Sequence, residues 1–271
     1  MIREFRLLFI LALLLCANSA AQTRKERAWQ LLEQGAGSKN FSSRAVAVRV
    51  LGLLPADTHA LAMAEKALQD EEPSVRIAAA TALGQIGAKR AVPKLQASLN
   101  DPDIAVILAS AHALTALGDD AGYDVYYAIL TRYRKGGGNL LEEQKRMLKD
   151  RKQLAKLGFE QGIGYVPFAG FGYGAIRALT KDDTSPVRAG AARALANDPD
   201  PASGAALAEA TWDHSWIVRA AALEAVARRG DPSLLPQIEH ALGSGHDAVK
   251  FTAAAATIRL TTIRDARAKK Q

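Results

Sequence analysis

A valine followed by a basic side chain returns at a fixed interval in this chain: Val187-Arg188, Val218-Arg219 and Val249-Lys250 stand 31 residues apart. Stepping 31 forward from an earlier pair, Val75-Arg76, reaches Val106-Ile107, and stepping 32 back reaches Ser43-Arg44. An interval of this length holds two short helices and their turns but no independent core. Each unit must therefore bury its apolar face against its neighbours, and the chain must stack.

The stretch from Asp70 to Asp101 is the clearest copy. Val75, Ala78, Ala79, Ala82, Leu83 and Ile86 recur at three- and four-residue spacing, so one apolar face runs down a first helix. Gly87 ends it. Pro93 then opens a second helix, where its missing amide hydrogen costs no intrahelical bond, and Val92, Leu95 and Leu99 face back. The proline recurs as Pro236, with Ile238 and Leu242 in the places of Leu95 and Leu99. An aspartate stands six residues before the arginine position in several copies: Asp70, Asp101, Asp182 and Asp213.

This pattern resembles the HEAT-repeat family, in its short bacterial, phycobilisome-lyase-like form, over about 42–134 and 182–262. The resemblance implies an all-α fold, an armadillo-like α-solenoid of helical hairpins whose second helices line the inner surface. It also implies a ladder between repeats, with Asp70, Asp101, Asp182 and Asp213 meeting Arg76, Arg188 and Arg219. Ile107 and Ser244 break the pattern and should interrupt that ladder. Since such repeats carry unrelated roles, function has to come from particular residues.

The first 21 residues stand apart. Two arginines, an apolar run too short to span a bilayer and a small-residue NSAA read as a secretory signal peptide cut after Ala21. Leu15 before Cys16 argues against lipoprotein processing. As Cys16 is the one cysteine, the mature chain would be periplasmic or secreted and without disulfide or thiolate chemistry. Export also argues against nucleic acid as the partner of a chain with net charge +7. Residues 23–34 read as a terminal cap over the first repeat, so the expected order is signal peptide 1–21, cap and three repeats 22–134, an inserted or remodelled segment 135–181, further repeats 182–262 and a basic tail 263–271.

The inserted segment carries the unusual chemistry. Nine basic and three acidic residues fall between 132 and 156, and all six tyrosines lie between 123 and 173. Aromatic and arginine side chains contribute most of the energy at interfaces, so the expected binding residues are Tyr123, Tyr126, Tyr127 and Tyr133, rimmed by Arg132, Arg134, Arg146, Lys149, Arg151 and Lys152. The plainer alternative is that the tyrosines are core and the basic helix a solvated face. The uncharged stretch that follows, with Tyr165, Phe168, Phe171 and Tyr173 among glycines, lacks a phosphate-loop motif; it suits either close packing in the stack or contact with an anionic membrane surface.

Some relatives of the resembled family are enzymes that bind iron through His-Glu dipeptides. None of the five histidines here, His59, His112, His214, His240 and His246, is followed by Glu, and no metal spacing or nucleophile motif occurs. The sequence therefore points to a non-catalytic scaffold for an acidic protein partner, with no cofactor and no small-molecule substrate. A peripheral membrane protein is the alternative, and a HEAT-type lyase or iron-dependent hydroxylase relative a third.

Overall fold

The computed structural model describes residues 24–134 and 184–270, with residues 129–134 described by their backbone alone. The signal-peptide reading and the whole of the inserted segment, 135–181, lie outside the described residues. Within them the chain is all helix and turn, an α-solenoid of hairpins. The elements are α1 (24–36), α2 (Phe41–Val50), α3 (Thr58–Ala67), α4 (Pro73–Ile86), α5 (Val92–Ala97), α6 (Ile104–Ala116), α7 (Ala121–Arg134), α8 (Ser185–Ala194), α9 (Pro201–Ala210), α10 (Trp216–Arg229), α11 (Leu235–Ile238) and α12 (Asp247–Ala268). Two compact units result, one holding α3 to α7 and the other α1, α2 and α8 to α12.

In the α3–α7 unit the repeat forms as its spacing predicts. Val75, Ala78, Ala79, Ala82, Leu83 and Ile86 are all buried, and Pro73 sits in the first turn of α4. Gly87 ends the helix with φ 78°, a left-handed value that side chains resist, and Gly118 and Gly230 do the same at 78° and 68°. The second helix is shorter than expected: α5 has six residues, extended at each end by a 3-10 turn, Lys89–Ala91 and Ser98–Asn100. Leu95 is fully buried, whereas Val92 and Leu99 are half-buried.

Side-by-side packing runs through the first helices: α4 lies on α6 in one unit, and α8, α10 and α12 lie on one another in the other. Their alanines permit the close approach. The second helices pack instead on the first helix that follows, α3 on α4, α5 on α6 and α9 on α10.

Helices α1 and α2 pack in the unit of the C-terminal helices, α2 directly on α12, with α1 against α2 where Gly35 meets Ala47. Lys25 Nζ donates to Thr262 Oγ1 at 2.9 Å, Arg24 pairs with Glu239 at 2.6 Å, and the Ser43 hydroxyl donates to the Asp247 carboxylate. Ala28 and Leu32 of α1 are fully buried. The row α8, α10, α12 is continued by α2, and the hairpin read as the first repeat is divided between the two units after Leu54. Shape decides this: Phe251 of α12 and Ala47 of α2 both lie against Gly35 of α1, a fit that repeat spacing does not encode.

The ladder forms where both partners exist. Arg76 grips Asp101 with two parallel bonds, Nε to Oδ2 at 2.7 Å and Nη2 to Oδ1 at 2.8 Å, and its Nη1 donates to the carbonyls of Asp70 and Glu71. Arg188 pairs with Asp213 at 3.3 Å. Arg219 keeps only the inner half of the pattern among these bonds, donating to the carbonyls of Asp213 and His214, because Ser244 supplies no carboxylate. Each complete rung ties the turn before one first helix to the turn before the next.

Candidate functional site: the tyrosine face of α7

Helix α7 starts where Asp119 Oδ1 accepts from the Ala121 amide at 3.1 Å. It crosses α6 at Gly122, where an added Cβ would lie 2.3 Å from the Ala111 carbonyl oxygen. That contact fixes which side of α7 meets the unit and which side is left open. Tyr123 and Tyr127, one helical turn apart, fall on the open side and are 62% and 71% exposed, the only tyrosines that stand out in this way among the described residues. Tyr126 lies between them and half-buried, and burial holds its hydroxyl above the ordinary tyrosine range. Phenol rings this exposed offer a large, rigid contact area at low entropic cost.

Of the residues read as binding, the structure brings Tyr123, Tyr126 and Tyr127 together on one helix and places Arg132, Tyr133 and Arg134 in its last turn. Arg146, Lys149, Arg151 and Lys152 lie outside the described residues, as do Tyr165, Phe168, Phe171 and Tyr173 of the membrane alternative. The core reading for the tyrosines fails at Tyr123 and Tyr127 and is met halfway at Tyr126.

Sequence reasoning missed a second aromatic group, on the turns that join successive repeats in the other unit. Trp212 stacks on His240, with centroids 3.5 Å apart and planes 10° apart, and Trp216 stacks on His246 at 4.1 Å and 15°. Trp212 is 68% exposed, yet its ring has an imidazole on one face. His240 is held by the Thr211 and Gln237 carbonyls, at 3.2 Å from Nε2 and 3.0 Å from Nδ1. Burial, then the Arg219 charge, pushes His246 below the ordinary imidazole range against the opposing pull of Asp247. The signal lay in the spacing: each histidine follows its tryptophan by close to one repeat.

Among the described residues no group of three or more histidine, cysteine, aspartate or glutamate side chains could hold a metal ion, and no helix is long and apolar enough to cross a membrane.

Comparison with solved structures finds likeness of fold. Human deoxyhypusine hydroxylase in complex with glycerol is 16% identical, with 89% of this chain and 98% of that one covered and a TM-score of 0.34. The complex of CpcE and CpcF of phycocyanin lyase from Nostoc sp. is 21% identical, covering 84% of this chain and 94% of that one at a TM-score of 0.35. An engineered protein is 18% identical, with 87% and 97% covered and a TM-score of 0.28. No curated protein matches the chain. The family HEAT repeats matches residues 28–115 and 174–259, more than half of the sequence. With the repeat period, the left-handed glycine caps and the Arg–Asp rungs all in place, this chain belongs to the HEAT-repeat family.

Proposed function

We propose that this chain is a non-catalytic scaffold of the cell envelope or secreted space that binds an acidic protein through α7. The observation that supports the reading is the exposure of Tyr123 and Tyr127, at 62% and 71%, on the open side of a helix that ends in Arg132 and Arg134. Aromatic anchors beside guanidinium groups form the common pattern of an energetic centre with a charged rim. No catalytic role is assigned to any residue.

The test is site-specific photocrosslinking in the native envelope, with a crosslinking amino acid at position 123 or 127 and, as control, at Lys94 on the exposed side of α5. A discrete adduct from 123 and 127, absent from 94 and lost in the Arg132→Glu/Arg134→Glu variant at unchanged helicity, is expected. Adducts equal at all three positions, or insensitive to the charge reversal, would remove α7 as the docking helix. Lipid adducts alone would transfer the site to a membrane surface.

A further inference from the structure

Helices α1 and α12 bring the basic residues of two distant segments to one end of a single unit. Gly35 of α1 lies at Phe251 and Lys25 at Thr262, so α1 runs antiparallel to α12 and its first turn stands beside the last turns of α12. Arg24, Lys25 and Arg27 of α1 thereby join Arg264 and Arg267 of α12, with Lys269 and Lys270 just after it. Arg24 pairs with Glu239 at 2.6 Å, Arg264 pairs with Asp265 at 2.8 Å, and Lys25 donates to Thr262 at 2.9 Å. Arg27, Arg267, Lys269 and Lys270 are exposed. Set against these cations are Glu26, Glu239, Asp265 and Asp231, the last next to Gly230, which meets Ile263 of α12. Positive charge is therefore in excess at this end.

Helix formation accounts for only half of it. Cations in and after the last turn of α12 complement the negative end of that helix's dipole, but Arg24, Lys25 and Arg27 stand at the start of α1, where the dipole is positive and favours carboxylates. Arg24 and Lys25 tie α1 to its neighbours, while Arg27 takes part in neither of those bonds. The sequence adds a second observation. Residues 1–23 lie outside the described residues and join the fold at this end, and the apolar run 7–17 stops seven residues before Arg24. Seven residues reach at most about 25 Å. Wherever that run meets a bilayer, this end of the unit is held within that distance of its headgroups.

We propose that this end of the unit, with Arg27, Arg267, Lys269 and Lys270 outermost, is a contact surface for an anionic lipid bilayer. Exposed lysines and arginines act at a headgroup surface without leaving water, so the contact carries no desolvation cost of the kind a buried pair would. Each cation near such a surface strengthens association by about fivefold, an effect that fades within a Debye length of about 8 Å. Lipid is the anion this end favours, because the apolar run delivers it to a bilayer and to no soluble polymer. The surface is in a different unit from α7 and stands whether or not the tyrosine face docks a protein.

The experiment is co-sedimentation of the purified full chain with vesicles of phosphatidylcholine alone and of phosphatidylcholine with about one third phosphatidylglycerol. The apolar run partitions into both, so the reading is the ratio of anionic to neutral binding. A preference for the anionic vesicles is expected, and it should disappear at about 1 M salt. Arg27→Gln/Lys269→Gln/Lys270→Gln should reduce the preference by about a hundredfold at unchanged helicity, about fivefold for each charge. Lys66→Gln/Lys89→Gln/Arg90→Gln removes the same charge from exposed positions of the other unit and should leave the preference within about twofold. Glu26→Gln should raise it by about fivefold, a gain that misfolding cannot imitate. Equal binding to both vesicles overturns the proposal. So does a loss in the first triple variant no larger than in the second, or a folded Glu26→Gln chain that binds no better. Retention by heparin without any preference for anionic vesicles would assign this end to a soluble polyanion and likewise overturn it.

Discussion

Gly35 is the residue on which the docking of α1 against the C-terminal helix can be tested most sharply, because the fold reverses the sign of an ordinary substitution there. Placing alanine at a glycine inside a helix stabilises by about 0.5–1 kcal/mol when the space is open. At Gly35 the new methyl carbon would sit 2.5 Å from Phe251 Cζ and 2.8 Å from Ala47 Cβ, against the roughly 3.5–4.0 Å at which carbons rest. Phe251 is 3% exposed and Ala47 fully buried, so neither the ring nor α2 can give way without moving other core atoms. Overpacking of this kind costs about 1–3 kcal/mol, which leaves Gly35→Ala destabilising by about 1–2 kcal/mol. Phe251→Ala alone should cost about 3–5 kcal/mol, and the double variant should fall short of the sum by about 1–2 kcal/mol, since the methyl then occupies part of the vacated space. All three tryptophans, Trp29, Trp212 and Trp216, belong to this unit, so urea unfolding followed by tryptophan fluorescence reports on it. A Gly35→Ala midpoint above that of the parent, with the two substitutions additive, would refute the docking of α1 on α12.

The remaining expectations concern single interactions. Replacing Asp101 by Asn breaks a rung whose side chains are 10–12% exposed, for about 2 kcal/mol in the denaturation midpoint. Burial alone would raise the Asp101 carboxyl, but the bonds from Arg76 and the Asp103 amide carry it below the usual range; its stabilisation is therefore full above about pH 4 and lost as pH falls through the lowered native value, and an acid titration of the Asn variant should lack that component. His246 is held low by burial, so the unfolded chain takes up its proton first; stability should decline as pH drops below about 6.5 towards the native value, and His246→Gln should flatten that decline in melts read by tryptophan fluorescence. Gly87→Ala, with open space around its Cβ but φ 78°, should cost about 1–2 kcal/mol, whereas Gly190→Ala within α8, also open, should gain about 0.5–1 kcal/mol; thermal melts giving both the same sign would contradict the assigned caps.

What the sequence discloses here is what repeats. Gly87, Gly118 and Gly230 mark helix ends because only a residue without a side chain takes the left-handed turn easily, and that requirement returns with the period. The Arg76–Asp101 and Arg188–Asp213 rungs follow for the same reason, and so does the break at Ser244. Tyr123 and Tyr127 were visible as a local excess of aromatic residues, but their exposure came only with the fold. The docking of α1 and α2 was not visible. It depends on a buried ring meeting a glycine more than 200 residues away, a single event with no second copy to compare.

The grouping of charges by the fold was hidden for another reason. A tally of charge along the chain assigns the positive excess to 132–156 and finds the repeats nearly neutral, which does not show which charges folding brings together. Folding regroups them. A stack of first helices turns equal positions of successive repeats into neighbours, so the electrostatics of such a surface are set by columns of the aligned repeat and not by segments of the chain. The sixth and tenth positions after the first residue of each repeating pair hold Thr81, His112, Gln85 and Ala116 in the α3–α7 unit, and four arginines, one glutamate, Leu53, Asn197 and Ala255 in the other. Since the fold tolerates either composition at those positions, the charge there is not fixed by the stacking of the first helices, and Glu224, bonded to Arg193 and Arg228, joins two neighbouring columns of the repeat.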